Sequence, residues 1–308
     1  MKQIKKIVLI LILLLLLLQI LIYSSDVIKS VRFAFDIWKN NVFPSLFPFF
    51  VLSEILIKLG FVEMTGKLFK PFMNLLFKTR GESAFIFIMS IISGNPGNAK
   101  YTRELYDQNL IDKNEATKML TFTHFCNPLF ILGTIGMAFF SDYKVGVTLL
   151  LAHYLGNFVI GIFVRNKFPR IPIRKEAQKK VSSEENIGSI ITNSLFNSIN
   201  TLLLILGAIS ICLVLTTVVA KNFSFTPFVQ NIFNGLIEVT QGVKYVSLTD
   251  ASLLTKEILC VIFLSFGGLS IHLQVISMIS GSDIKYLPFL IARFFHAIIS
   301  VLILLLIC

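Results

Sequence analysis

Charge is scarce in this chain. Lys, Arg, Asp and Glu make up 15% of its 308 residues, against about a quarter in a soluble domain, which excludes a water-facing surface wrapped round a core as the general plan. Cysteine is nearly absent. Cys126, Cys212, Cys260 and Cys308 stand singly in apolar segments, so neither a disulfide framework nor a zinc site is expected, only small buried hydrophobes. The sequence holds no H-E-x-x-H helix, no G-x-S-x-G elbow and no G-x-x-x-x-G-K-[ST] loop. That points away from an enzyme, from an ATP-driven pump and from a bound cofactor.

What is present is apolar. Such residues make up 55% of the chain and the mean hydropathy is +0.80, so the lipid bilayer is the expected solvent. Stretches long enough for a hydrocarbon core of about 30 Å recur at 7 to 23, 42 to 61, 119 to 140, 145 to 164, 201 to 220, 258 to 280 and 286 to 307. The net charge of +11 does not imply nucleic acid, because the basic residues lie in short connections; the positive-inside bias accounts for them. Lys2, Lys5 and Lys6 before the apolar run Ile7 to Leu18 read as a signal-anchor over residues 1–28, retained in preference to cleaved.

Charge parity then sets the topology. The connector 165–186 carries Arg165, Lys167, Arg170, Arg174, Lys175, Lys179 and Lys180, and a second basic stretch runs from Lys67 to Arg80; both should be cytoplasmic. They can share a side only if Ala84 to Ile92 enters the membrane, breaks at Ser93-Gly94-Asn95-Pro96-Gly97-Asn98 and returns to the side it left. Broken backbone at that depth must be buried by protein or line a watery cavity. At offsets near 140 residues, Cys126-Asn127-Pro128-Leu129 matches Phe266-Gly267-Gly268-Leu269, and Ser141 to Lys144 matches Ser282 to Lys285. The break at 93–100 falls near Asn234 to Gly242. The expectation is an all-α integral membrane protein, an inverted repeat with re-entrant hairpins, in which 29–164 and 187–308 are two oppositely oriented repeats. Carriers of that architecture bind solute at the paired breaks.

Several segments in order, Phe43 to Phe50, Ser53-Glu54, SGNPGNAK at 93–100, Cys126 to Phe130, His153 to Asn157, Gly235 to Gly242 and Ala292 to His296, resemble the sporulation integral membrane proteins of the nucleoside-recognition, or Gate-domain, family. The resemblance covers about residues 30 to 305. It implies a fold like that of concentrative nucleoside transporters, often a homo-oligomer. In the sporulation branch it implies passage of dipicolinic acid into the forespore across the outer forespore membrane. A nucleoside-type solute, or a non-transporting scaffold, are the other readings.

For such a small-molecule solute, Ser93, Gly94, Asn95, Pro96, Gly97, Asn98 and Lys100 offer an anion cradle at a half-helix N-terminus. The plain alternative is a turn with Lys100 reaching the interface. Asn127, Thr240, Gln241, Gly267, Gly268 and Ser270 complete the candidate site. Glu54 and Glu238 are candidates for a coupling ion, proton or sodium, although Glu54 also stands one turn from Lys58. Arg293 is the deep cation best suited to a carboxylate, with snorkelling as its rival. His124, His153 and His272 read as interhelical hydrogen-bonding residues, and most of the 30 phenylalanines as packing and lipid contact.

Overall fold

Nothing between Ile7 and Leu18 competes with helical backbone bonds, and α1 (Lys2–Ile22) forms there with its side chains largely exposed. The computed structural model describes residues 2–172 and 186–308, and every regular element among them is helical. α2 (Ser24–Ile37), a π-helical stretch (Trp38–Val42) and α3 (Phe43–Lys58) join into a rod of 35 residues. Then come α4 (Phe61–Phe77), α5 (Ser83–Ser93), α6 (Gly97–Asp107), α7 (Lys113–Phe122), a π-helix (Phe130–Phe139) and α8 (Tyr143–Val164). Beyond the connector lie α9 (Ile187–Asn222), α10 (Pro227–Ile237), α11 (Val239–Ser247), α12 (Leu253–Phe266), α13 (Gly268–Ile279) and α14 (Tyr286–Ile307).

Five of these helical segments are long and apolar enough to cross a membrane: Ser24–Lys58, α8, α9, Leu253–Ile279 and α14. The rod runs antiparallel to α9. Lys221 meets Asp26 at 2.7 Å, the Trp38 indole donates to the Leu202 carbonyl at 2.8 Å, and Asn197 donates to Glu54. Gln19 accepts from Asn222, so α1 finishes beside the far end of α9.

Two expected spans are not continuous helices. The stretch 119 to 140 leaves the helix after Phe122 and resumes at Pro128; Pro128 suits a first helical position, where no N–H is needed, and the Asn127 side chain caps that start by accepting from the Leu129 N–H at 2.7 Å. The stretch 258 to 280 is interrupted at Gly267, whose φ of +93° is followed by +61° at Gly268. Only glycine takes those values without strain. Cys126, Cys212 and Cys260 are free and buried, whereas Cys308, beside Glu257 at the end of α14, is exposed.

The two basic stretches meet at one end of the bundle. Lys118 Nζ donates to the Phe77, Lys78 and Arg165 carbonyls, Arg165 to Leu75, and Arg170 to Lys78 and to the Asn74 side chain. Cations there satisfy the unpaired carbonyls at the C-terminus of α4 and oppose its dipole. Arg80 bridges Asp112 at 2.6 Å and Glu115 at 2.7 Å. Burial pushes the Glu115 carboxyl up despite Ser83 and Arg80 beside it. Burial also raises Asp112, but Arg80 and the Glu115 and Ile171 N–H groups outweigh that and hold it below the usual range. The side chains of Lys2 and Lys5, and all of Arg174, Lys175, Lys179 and Lys180, lie outside the described residues.

Candidate functional site

Four helix interruptions converge. α5 ends at Gly94, whose φ is +80° and whose Cα packs so closely on Asn127 that a Cβ would collide with its backbone. α10 and α11 are separated by the single extended residue Glu238, whose carboxylate caps α11 by accepting from the Gln241 N–H at 2.7 Å. Gly242 and Gly235 stand backbone to backbone, with no room for a side chain at either. The remaining two interruptions are 123 to 128 and Gly267.

Between them lies a cavity of about 330 Å³, inside the size range of small-molecule sites. Its polar lining is Asn40, Asn41, Ser45, Asn95, Asn127, Thr134, Glu238, Thr240, Ser270 and Gln274; its apolar walls include Ile37, Phe130, Ile205, Ile209 and Ile271. Among the described residues, no lysine, arginine or histidine lines it. Asn95 Oδ1 and Gln274 Oε1 are buried acceptors with no hydrogen-bond partner, a costly condition that a donor in the cavity would relieve.

Five of the sequence-derived candidates, Asn95, Asn127, Glu238, Thr240 and Ser270, thus share one chamber. The others are placed elsewhere. Ser93 donates to the Met89 carbonyl and accepts from the Tyr101 hydroxyl. Gly97 lies against Ser93 and Tyr101, and Gly268 against Ile237 and Val239. Pro96 precedes α6, Asn98 is fully buried behind it, and Gln241 accepts from Thr216 at 3.4 Å. Lys100 pairs with Glu54 at 3.0 Å in a second, charged pocket with Glu104, Arg103 and Asp107. Glu54 therefore bonds Lys100 and Asn197 and faces away from the chamber.

Arg293 is also outside it. Fully buried, it donates to the Thr121 carbonyl, to Asn157 Oδ1 at 3.4 Å and to His296 Nδ1 at 2.8 Å. His296 Nε2 then donates to the His153 carbonyl at 2.8 Å, and His153 Nε2 accepts from the Cys126 N–H at 3.0 Å. Asn157 donates to the His124 carbonyl, and Tyr154 to the Cys126 carbonyl at 2.8 Å. α8 and α14 together thereby satisfy the backbone that the interruption at 123 to 128 leaves unpaired, as broken helices inside an apolar medium require. His124 packs edge-on against Gly267 in the facing interruption; His272 bonds Tyr286 and the Phe266 carbonyl.

Asn40, Asn41, Ser45, Thr134 and Gln274 were not singled out by sequence as site residues. Gln274 follows Ser270 by one helical turn, the one spacing that carried a signal.

A family model described as "Nucleoside recognition" matches residues 40–283, which include nearly the whole chamber. The chain belongs to this nucleoside-recognition, or Gate, family. Among curated relatives, this Gate-family chain is 34% identical over 295 residues to the Sporulation integral membrane protein YlbJ of Bacillus subtilis (strain 168), covering 85% of the chain and 72% of the relative. No solved structure matches it. With five helices among the described residues long and apolar enough to cross a membrane, this Gate-family protein is an integral membrane protein.

Proposed function

We propose that the chain is a carrier of a small polar solute, with the chamber between the four interruptions as its binding site. One observation carries this reading: amide and carboxylate groups from three of the interruptions, and the Ser270 hydroxyl just beyond the fourth, face a single cavity inside an apolar bundle. Polar groups in such a medium are costly and are kept where they face a pathway. In this reading 29–164 and 187–308 are the inverted repeats joined by 165–186. α5–α6 and α10–α11 are the re-entrant hairpins, opening from opposite sides. The contact of Ser83 with Glu115 supports this, because it brings α7, which follows the first hairpin, back to where α5 begins.

The cargo proposed is dipicolinic acid, carried toward the forespore across its outer membrane in a spore-forming bacterium. The likeness to the sporulation integral membrane protein YlbJ supports the setting, and the apolar walls suit a planar ring. The chamber pairs that ring with amides and the starts of α11 and α13, not with the lysine and arginine that the sequence favoured. Since Glu238 is the one charged group lining the chamber, a dianion enters with a proton or cation, and Glu238 is the residue proposed to couple to it. A nucleoside is the second reading, favoured by the cation-free lining.

Purified protein in liposomes decides between them. Dipicolinate uptake should exceed nucleoside uptake and depend on pH or sodium, with the dependence lost in Glu238→Gln. Asn95→Ala and Asn127→Ala should each slow uptake about tenfold, the consequence of ~1.4 kcal/mol of lost solute binding. Nucleoside uptake alone would replace the cargo; normal function with all three residues changed together would replace the carrier by a scaffold.

A further inference from the structure

α4 (Phe61–Phe77) has three faces where an ordinary amphipathic helix has two. At about 100° per residue, Val62, Thr65, Gly66, Met73 and Phe77 form one sector, buried against the protein. Opposite them, Met64, Leu68, Phe72 and Leu75 form an apolar ridge that is 60%, 73%, 40% and 69% exposed. Glu63, Lys67, Lys70 and Asn74, continued by Lys78, occupy the flank between the two, which carries a net positive charge. At 17 residues and with a lysine flank, α4 is not among the helices long and apolar enough to cross a membrane. A second apolar ridge facing water would be equally costly. One orientation satisfies all three faces: the axis along the membrane surface, the ridge in the acyl region and the lysines level with the headgroups.

The cations around α4 divide by task. Lys118, Arg165 and Arg170 are consumed by carbonyls at its C-terminal end. Among the described residues, neither Lys67 nor Lys70 makes an ion pair. We infer that this flank of α4 is a binding site for anionic phospholipid, with Lys67 and Lys70 receiving the headgroup phosphate while the ridge covers the acyl chains. The inference is independent of the carrier reading, but it reaches the chamber. Gly66 packs on the backbone of Gly81 and Glu82, where α5 begins, and Asn95 follows the other end of α5.

The test is thermal unfolding of the full-length protein in neutral detergent, with phosphatidylglycerol, phosphatidylcholine or inorganic phosphate added. Phosphatidylglycerol should raise Tm, while the other two do not. Lys67→Gln/Lys70→Gln should lose at least half of that rise, and Lys67→Arg/Lys70→Arg should keep it. Lys113→Gln/Lys144→Gln, which removes the same charge elsewhere, should also keep it. An equal rise with phosphatidylcholine would reduce the site to its apolar ridge, and a rise with phosphate alone would make it a free-anion site. Either result, or a full rise in the double Gln variant, overturns the proposal.

Discussion

Arg80 holds two buried carboxylates, Asp112 and Glu115. Its side chain is 21% exposed, whereas that of Glu115 is 0% exposed. Removing the guanidinium strands Glu115, so Arg80→Leu should destabilise the protein by about 2 kcal/mol at neutral pH. A carboxyl whose folded value lies above its unfolded one takes up a proton more readily in the fold, so stability increases as pH falls through the folded value. The deficit of Arg80→Leu should therefore shrink as pH falls toward the raised Glu115 value, and Arg80→Leu/Glu115→Gln should recover much of it at neutrality. Unfolding midpoints in detergent measure both; a deficit independent of pH would refute the assignment. Arg293 belongs to the same scale with a different task. Its hydrogen bonds run to Thr121, Asn157 and His296, so Arg293→Met should lower the unfolding midpoint sharply instead of changing solute affinity alone. A well-folded variant with only a raised KM would return Arg293 to the chamber.

At the scale of the element, the interruptions were legible because their chemistry is local. Gly94, Pro96, Pro128 and Gly267 each remove a donor or permit a backbone that helices forbid, and those types are visible without a fold. The faces of intact helices were not. Asn40 and Asn41 follow Lys39 in a short polar run, Thr134 and Gln274 stand singly beside apolar neighbours, and only packing against other helices decides that they turn to the cavity. The placing of Lys100 is hidden for a related reason: its partner Glu54 lies 46 residues earlier, and nothing at that separation is marked in sequence. The tightest element contact is the Gly235–Gly242 crossing of α10 on α11. Gly242→Leu must part the two helices and displace Glu238 at their junction. It should abolish solute binding and cost about 2 kcal/mol or more in stability, both read from ligand-dependent thermal shifts; unchanged binding would show that the crossing does not position Glu238.

At the scale of the whole molecule, the open question is which ends face which side. Lys285 donates its backbone N–H to Thr117 beside the basic end, and Cys308 reaches Glu257 at the other end of α14. A helix of 22 residues is about 33 Å long, which separates the two ends by a bilayer's apolar thickness. Lys113 lies at the end that holds Arg80, because Asp112 beside it and Glu115 both bond that arginine. Leu248 and Lys144 lie at the opposite end. Cysteines introduced singly at Lys70, Lys113, Lys144 and Leu248, in a Cys308→Ser background, can be labelled with a membrane-impermeant maleimide in sealed vesicles of each orientation. The three native cysteines that remain are buried. Positions 70 and 113 should label together from one side, and 144 and 248 from the other. If α5–α6 instead crossed the membrane, position 113 would label with 248. The hairpin would then be two spans, and the interruptions at Gly94 and Glu238 could not enter one chamber from opposite sides.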